Sequence, residues 1–305
     1  MKQIRNISKI LLTVVAVASM GACQPLEGDS WTGNSKVILD WTEANPDTGE
    51  RPEQITDMSI YYYPQTTTKE TYKAAFPGSS NTYDVQTETY DILVLQDSPL
   101  YKYTDKFATA IFELPTVPED DAEIRISENP TEQCYFGRLS GEKVDWNVRN
   151  DIHIDMERIL KKLNFVILIG DKAELTEPCT VDISGMAYKK SFQNKDAVED
   201  AQAIQVLEIY RHGRYVSDEY EWTSYMGSVY CLGVAGKNIL YFTFTDSQGV
   251  KQKVTYDVTQ YLMGWNTYEE TIHLRIKLEQ DGYDVSLDGW DMGNTTDVVF
   301  EYVVI

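Results

Sequence analysis

Histidine and cysteine are scarce in this 305-residue chain, three of the first and four of the second. His153, His212 and His273 stand far apart, and no Cys-x-x-Cys or Cys/His spacing offers zinc a ligand set. Gly-x-Ser-x-Gly elbows, glycine-rich phosphate loops and His-Glu-x-x-His helices are missing as well. Carboxylates, in contrast, are so abundant that a glycosidase-like pair can be picked anywhere, which deprives any such pair of weight. The chain is therefore not expected to be an enzyme, and it calls for neither cofactor nor metal. Basic residues are the second deficit: 27 Lys and Arg face 48 Asp and Glu, for a net charge of −21. Nucleic acids and anionic headgroups are bound by Lys and Arg that displace counterions from phosphate, so this balance excludes nucleic-acid binding. Amphipathic helix is nearly missing too, with Asp196–Ala203 the exception.

Only one long apolar run is present, Ile10–Met20, and its flanks explain it. Lys2, Arg5 and Lys9 precede it, and Met20-Gly21-Ala22 places small residues before Cys23, the pattern of a secretory signal ending in a lipobox-like site. Eleven helical residues rise only about 16 Å, roughly half of a bilayer's hydrocarbon core, so the run is too short to anchor the chain by spanning. Residues 1–22 are expected to be a cleaved lipoprotein signal and Cys23 to carry lipid, whose buried methylenes make attachment to an outer membrane lasting. Cleavage removes three basic residues and no acidic ones, leaving 283 residues with net charge −24. Gln24–Ser35 is polar and contains glycine, and residues 23–35 are read as a tether. Cys134, Cys179 and Cys231 then remain, enough for one disulfide or for three buried thiols.

From Lys36 the sequence reads as strand after strand. Lys36–Trp41 sets Val37, Leu39 and Trp41 on one face, Met58–Tyr63 stops at Pro64, and Tyr90–Leu95 is a continuous β-prone run. Turn-rich links such as Asn45–Gly49 and Pro77–Asn81 separate them. Phe107–Phe112, Ala122–Ile126 and Gln133–Leu139 complete a first set. Between Met156 and Gly170 two periods compete: Met156, Ile159, Leu160 and Leu163 fit a helical face, whereas Asn164–Ile169 fits a buried strand. A helical turn feeding a strand satisfies both, with a domain boundary near residue 155. Pro178–Ser184, Ile204–Tyr210, Val229–Val234, Thr271–Leu278 and Tyr283–Leu287 are further strands. Asn238–Thr245 and Val250–Val258 form the clearest hairpin, with Gly249 at a left-handed exit and Leu240, Phe242 and Phe244 turned inward. Short strands at roughly 8 to 12 residue spacing predict an all-β chain of two Greek-key sandwiches, residues 36–155 and 156–305.

His153 and His273 fall at solvent-facing positions of strands, and Arg211-His212-Gly213-Arg214 reads as a hairpin turn. Asp281–Asp291 is acidic but lacks the alternating loop that binds calcium, and is read as a solvated turn. Most of the 21 tyrosines and six tryptophans, Trp41, Tyr61, Tyr63 and Tyr241 among them, keep step with strands and suit packing. Tyr215, Tyr220, Trp222 and Tyr225 lie in a polar stretch and are the candidates for exposed binding aromatics, with a glycan as their ligand. Asp297–Ile305 ends in the β-prone Val298–Ile305, either paired within its own sheet or available to another subunit by strand addition.

The order of these motifs resembles the fimbrillin-type lipoproteins of Bacteroidia, in particular fimbrial anchor and accessory proteins and a related lipoprotein family of unassigned function. The resemblance is carried by the lipobox at Cys23, by Val37–Trp41, Met58–Pro64 and Tyr90–Leu95, by Arg158–Ile169, Val181–Ala187 and Val285–Trp290, and it covers nearly the whole mature chain. It implies two transthyretin-like β-sandwich domains, an outer-membrane lipid anchor, and a role in fimbrial assembly, anchoring or adhesion with other fimbrial subunits as partners. The family's pilins mature by proteolysis after an arginine; Arg51 follows the Val37–Trp41 strand in a chain that resembles an anchor, and that cleavage is not assigned to it. The alternative is a surface glycan-binding lipoprotein of a polysaccharide-uptake system.

Overall fold

A computed structural model describes residues 34–53, 55, 57–66, 68–119, 123–170, 176–193, 201–216, 221–245, 249, 251–278 and 285–287. In chain order its strands are β1 (Ser35–Asp40), β2 (Met58–Pro64), β3 (Tyr72–Ala75), β4 (Ser80–Tyr83), β5 (Glu88–Gln96), β6 (Tyr101–Lys102), β7 (Ile111–Glu113), β8 (Thr116–Pro118), β9 (Ile124–Ile126), β10 (Tyr135–Val144) and β11 (Asn150–Arg158). They continue with β12 (Lys161–Gly170), β13 (Thr176–Ala187), β14 (Lys189–Ser191), β15 (Gln202–Val216), β16 (Glu221–Cys231), β17 (Ile239–Thr245), β18 (Lys251–Asp257), β19 (Glu269–Leu278) and β20 (Val285–Leu287). One helical turn, α1 (Thr259–Leu262), precedes β19. The chain is all-β and forms two sandwich domains.

The first sheet runs β3-β2-β5-β10-β11-β1-β4. Laid flat, seven strands would hold β3 and β4 about 29 Å apart. Yet these edge strands are joined by only Phe76–Ser79, a connection that reaches at most about 18 Å. The sheet must therefore curl, and Tyr72 on one edge meets Tyr83 on the other with ring centroids 6.4 Å apart. The curl encloses the alternating inward residues of its own strands, among them Val37, Leu39, Trp41, Ile60, Tyr62, Ile92, Val94, Ile152 and Ile154. β1 lies parallel to β11 on one side and antiparallel to β4 on the other.

The second sheet runs β18-β17-β13-β15-β16-β12-β19-β20, with β9 and β8 added beside β15. β12 pairs antiparallel with β16 and parallel with β19. Its alternate residues Leu163, Phe165, Ile167 and Ile169 join Val181, Ile183, Phe242 and Leu274 in a second core. In the β17–β18 hairpin Leu240, Phe242 and Phe244 are buried at 1, 0 and 2% exposure, and Gly249 has φ +79°, as the left-handed exit requires. A third apolar cluster joins the halves. Tyr61, Leu93, Leu95 and Phe136 from the outer face of the first sheet meet Phe112, Ile159, Phe192 and Leu232, while β14 pairs with β7.

Several sequence expectations are corrected. Met156–Leu163 contains no helical turn: β11 runs to Arg158 and β12 starts at Lys161, so Met156, Ile159, Leu160 and Leu163 are buried against three different surfaces of sheet, not one helical face. Phe107–Thr109 is a turn that sends Phe107 into the shared cluster, and only Ile111–Glu113 is strand. Arg211–Arg214 lies inside β15, where the register shift between Arg211 and Gly213 makes His212 the extra residue of a bulge in place of a chain reversal. Gln202 and Ala203, placed in a helix, begin β15. The signal, Cys23, residues 196–200 and the C-terminal segment 297–305 lie outside the described residues.

Candidate functional site

Tyr215 and Trp222 pair across β15 and β16, and Tyr220 lies outside the described residues. Tyr225 does not belong to an exposed set. It sits on the inward face of β16, opposite Ile167 of β12, and is 2% exposed; its polar neighbour Ser224 is buried as well, at 7%. Polarity of the stretch misled here because Ser224 and Tyr225, on opposite faces of β16, are both covered. Among the described residues the exposed aromatics include Tyr103, Trp146 and Tyr210, at 63, 67 and 52%, none of which belongs to the sequence-derived cluster.

The histidines do not converge. His153 and His273 are exposed on β11 and β19, and His212 is exposed at the bulge. Cys134, Cys179 and Cys231 are buried thiols, none of them in a disulfide. Burial pushes the Cys134 thiol up to about 11 and the Cys231 thiol up to about 12, which removes the thiolate that a nucleophile needs. Among the described residues no group of three or more His, Cys, Asp or Glu side chains has the geometry of a metal site.

The structure brings together a cleft that no single stretch of sequence announces. Two corners form it, one after β5 at Asp97–Leu100 and one after β9 at Glu128–Gln133, with Pro115 between them and a volume of about 320 Å³. Asp97, Glu128 and Glu132 supply carboxylates, and Ser98 and Asn129 supply neutral polar groups. Its walls are held from three directions. The Ser59 hydroxyl donates to Asp97 Oδ1 at 2.9 Å. Gln133 Nε2 donates to the Leu160 carbonyl at 2.8 Å while its Oε1 accepts from the Leu160 and Cys134 amides at 2.9 and 3.1 Å. Asn129 Oδ1 accepts from Gln205 Nε2 at 3.0 Å, and the same nitrogen donates to the Tyr230 carbonyl at 2.8 Å. A preformed, acidic, proline-cornered cleft accepts hydrogen bonds from hydroxyl-rich or cationic groups and repels anions.

A second feature lies at the far end of the first sheet. The β10–β11 connection is tightly pinned: Trp146 N donates to Thr87 Oγ1 at 3.0 Å, and Asn150 Nδ2 is shared among the carbonyls of Asp145, Val148 and Asn34 at 2.7, 2.9 and 3.1 Å. The Asn147 amide donates to the Asp145 carboxylate, which holds that carboxyl below its usual range. The apolar side chains of Trp146 and Val148 nonetheless remain 67 and 50% exposed.

The chain matches no family model and no curated protein. Solved structures do match. A crystal structure of a proposed adhesin from Bacteroides ovatus superposes with TM-score 0.57 and 13% identity, over 85% of this chain and 100% of that one. A proposed adhesin from Bacteroides thetaiotaomicron gives 0.56 and 11%, over 80% and 91%. The chain has their fold. A structure of proposed polysaccharide-binding proteins from Bacteroides thetaiotaomicron follows at 0.50 and 12%, over 85% and 96%. At these identities the fold is what is shared.

Proposed function

We propose that this chain is a lipid-anchored cell-surface protein of the outer membrane that acts in fimbrial assembly or anchoring and in adhesion. The observation that carries the reading is a conjunction: a Cys23 lipobox at the head of a two-sandwich fold whose solved likenesses, over 80 to 85% of the chain, are described as adhesins. In this reading residues 1–22 are removed, residues 23–35 tether the fold, and the sandwiches occupy 36–155 and 156–305. Partners are other fimbrial subunits, joined by strand addition. Immunogold labelling of intact cells with an antibody to the mature protein tests it. Label at the base, shaft or tip of filaments is the expected result; diffuse label on cells without filaments removes the assembly role. Cys23→Ala is expected to shift the protein from the membrane to the soluble fraction, and unchanged membrane retention would refute the lipid anchor.

A second reading, surface glycan binding, is favoured by the cleft. The carboxylate oxygens of Asp97, Glu128 and Glu132 grouped in one cleft suit sugar hydroxyls, and one of the similar folds is described as polysaccharide-binding. The double variant Asp97→Asn, Glu132→Gln tests it against a broad glycan array. Loss of a signal seen with the native chain supports it, and an array without any signal for the native chain rejects it.

A further inference from the structure

Trp146 and Val148 are large apolar side chains held in water by a loop whose backbone is fixed on both sides. Neither serves a core. Their position gives them a partner. The Asn150 amide donates to the Asn34 carbonyl at 2.8 Å, and the Asn34 side chain pairs with both backbone groups of Val85 at 2.8 Å, so the loop stands beside the point where the tether joins the fold. Asn34 is eleven residues past Cys23, a polar, glycine-containing length that spans about 18 Å on average and at most about 40 Å. The other end of β11, at Arg158, leads into the second sheet.

We propose that the Trp146–Val148 tip is the surface on which the first sandwich rests against the lipid bilayer, an inference that depends on lipidation of Cys23. Trp146 seats at headgroup depth, where an indole with one apolar body and one polar N–H is favoured. The contact is apolar, not electrostatic. Asp84 and Asp145 share this end; of its cations, Lys143 stands beside the Asp145 carboxylate, Arg149 Nε is engaged by Asp151 at 2.8 Å, and Lys69 is engaged by Glu88 at 3.4 Å. Added salt should therefore leave it in place. The seating fixes which end of the molecule faces the membrane and directs the β11–β12 crossing away from it.

The test uses the mature lipoprotein carrying Val148→Cys, labelled with a nitrobenzoxadiazole fluorophore and reconstituted into phosphatidylethanolamine–phosphatidylcholine vesicles that contain a doxyl-labelled lipid. The three native thiols of the fold are buried and do not compete for label. Glu53→Cys, exposed in the link at the Asp40 end of β1, is the reference position, and the mass of the N-terminal peptide reports the lipid. The expected result is a blue shift and loss of most emission at position 148 only, unchanged in high salt and abolished by adding Trp146→Ser. A lipidated chain whose label at 148 stays as wet as that at 53, is quenched equally at both positions, or is shielded only by a second protein, overturns the seating while the anchor stands. An N-terminal peptide without lipid overturns the anchor and the seating together.

Discussion

The two halves solve the same topological problem with different side chains. Each places its opening strand parallel to a late one, β1 beside β11 and β12 beside β19, with an antiparallel neighbour on the other side. The first core is rich in phenols: Tyr83 and Tyr90 pack edge-on against Tyr62, and Tyr135 meets Trp41. The second is built from Ile, Leu, Val and Phe with Met186 and two cysteines, and among the described residues only Tyr225 is a buried phenol within it. A core of tyrosines must supply partners for its hydroxyls, and the first half does so at Tyr62, Tyr83 and Tyr90. Tyr62 Oη and the Ser35 hydroxyl lie 2.8 Å apart, Tyr83 donates to the Ala75 carbonyl at 2.8 Å, and Tyr90 donates to the Gln86 carbonyl at 2.9 Å. Common topology therefore does not require a common core, and the halves should fail under different insults.

The largest effect should come from a device that they share. Gly137 of β10 and Gly227 of β16 each lie where a Cβ would meet the next strand: at 2.6 Å from Ile154 Cγ2 for the first and 2.6 Å from Leu207 Cδ1 for the second. Gly in a strand interior often marks such close approach. Gly137→Val and Gly227→Val should each cost about 3 kcal/mol, at the upper end for overpacked cores. Hydrogen exchange should show each loss confined mainly to its own half; uniform loss across both would mean that the halves unfold as one unit.

Next in size is a contact at the opening of β1. The buried Asn34 side chain both donates to and accepts from Val85. Asn34→Ala strips two buried backbone groups of their partners, and a loss of about 2 kcal/mol is expected in denaturant unfolding. At the opening of β12 Gln133 plays the same part, its Nε2 and Oε1 pairing with both backbone groups of Leu160, and Gln133→Ala should cost about as much; Lys162→Ala, which leaves the bond from the Lys162 amide to the Tyr268 carbonyl in place, should be close to neutral by the same measurement.

These contrasts were unequally legible in the sequence. Period-two alternation in Val37–Trp41 and Leu240–Phe244 marks inward faces because each strand there has one wet side. Where both sides are covered the period disappears, and Met156–Leu163, buried by three surfaces, imitates a helix. The same loss hides Tyr225, whose flanking Thr223 and Ser224 suggest solvent. The cleft was illegible for another reason: its corners are separated by about thirty residues of chain, and they meet because Ser59 of the first half holds Asp97 while Leu160 and Gln205 of the second hold Gln133 and Asn129. Trp146 and Val148 alternate like strand residues, and only the pinned turn reveals that they point outward.

Alkaline titration should separate the halves by a smaller margin. Burial pushes Tyr83 up to about 12 and raises Tyr62 and Tyr90 as well, while the Ser35 hydroxyl opposes the rise at Tyr62. A phenol whose pKa is raised on folding stabilises fully below its unfolded value near 10 and loses that contribution as pH climbs toward the folded value. For a shift from 10 to about 12 the loss at pH 11 is about 1.4 kcal/mol. In a Cys231→Ala, Tyr256→Phe background, which removes the second half's own raised groups, exchange protection in β2, β4 and β5 should therefore fall between pH 10 and 12 before that in β12, β13 and β17. Tyr83→Phe should narrow the gap, since a ring without a hydroxyl has nothing to ionise; a gap unchanged in that variant would assign the alkaline loss to other groups.

The smallest effect concerns what joins the halves. Lys189 of β14 reaches Glu113 of β7 at 3.0 Å, and the pairing raises the lysine pKa. Both side chains keep about a quarter of their surface in water, at 29 and 24%, so screening and rotamer entropy offset most of the attraction. A double-mutant cycle with Lys189→Ala and Glu113→Ala should give about 0.5 kcal/mol, and raised salt should leave the two halves docked. The apolar cluster is the alternative source of the docking: Phe192, 1% exposed, packs on Phe136 at 5.2 Å and on Tyr101 at 5.7 Å. If salt alone uncoupled the halves in hydrogen exchange, charge would be holding the junction and this assignment would be wrong. If it does not, the Lys189–Glu113 ion pair serves to set the register of β7 and β14, and the aromatic contacts beneath it hold them together.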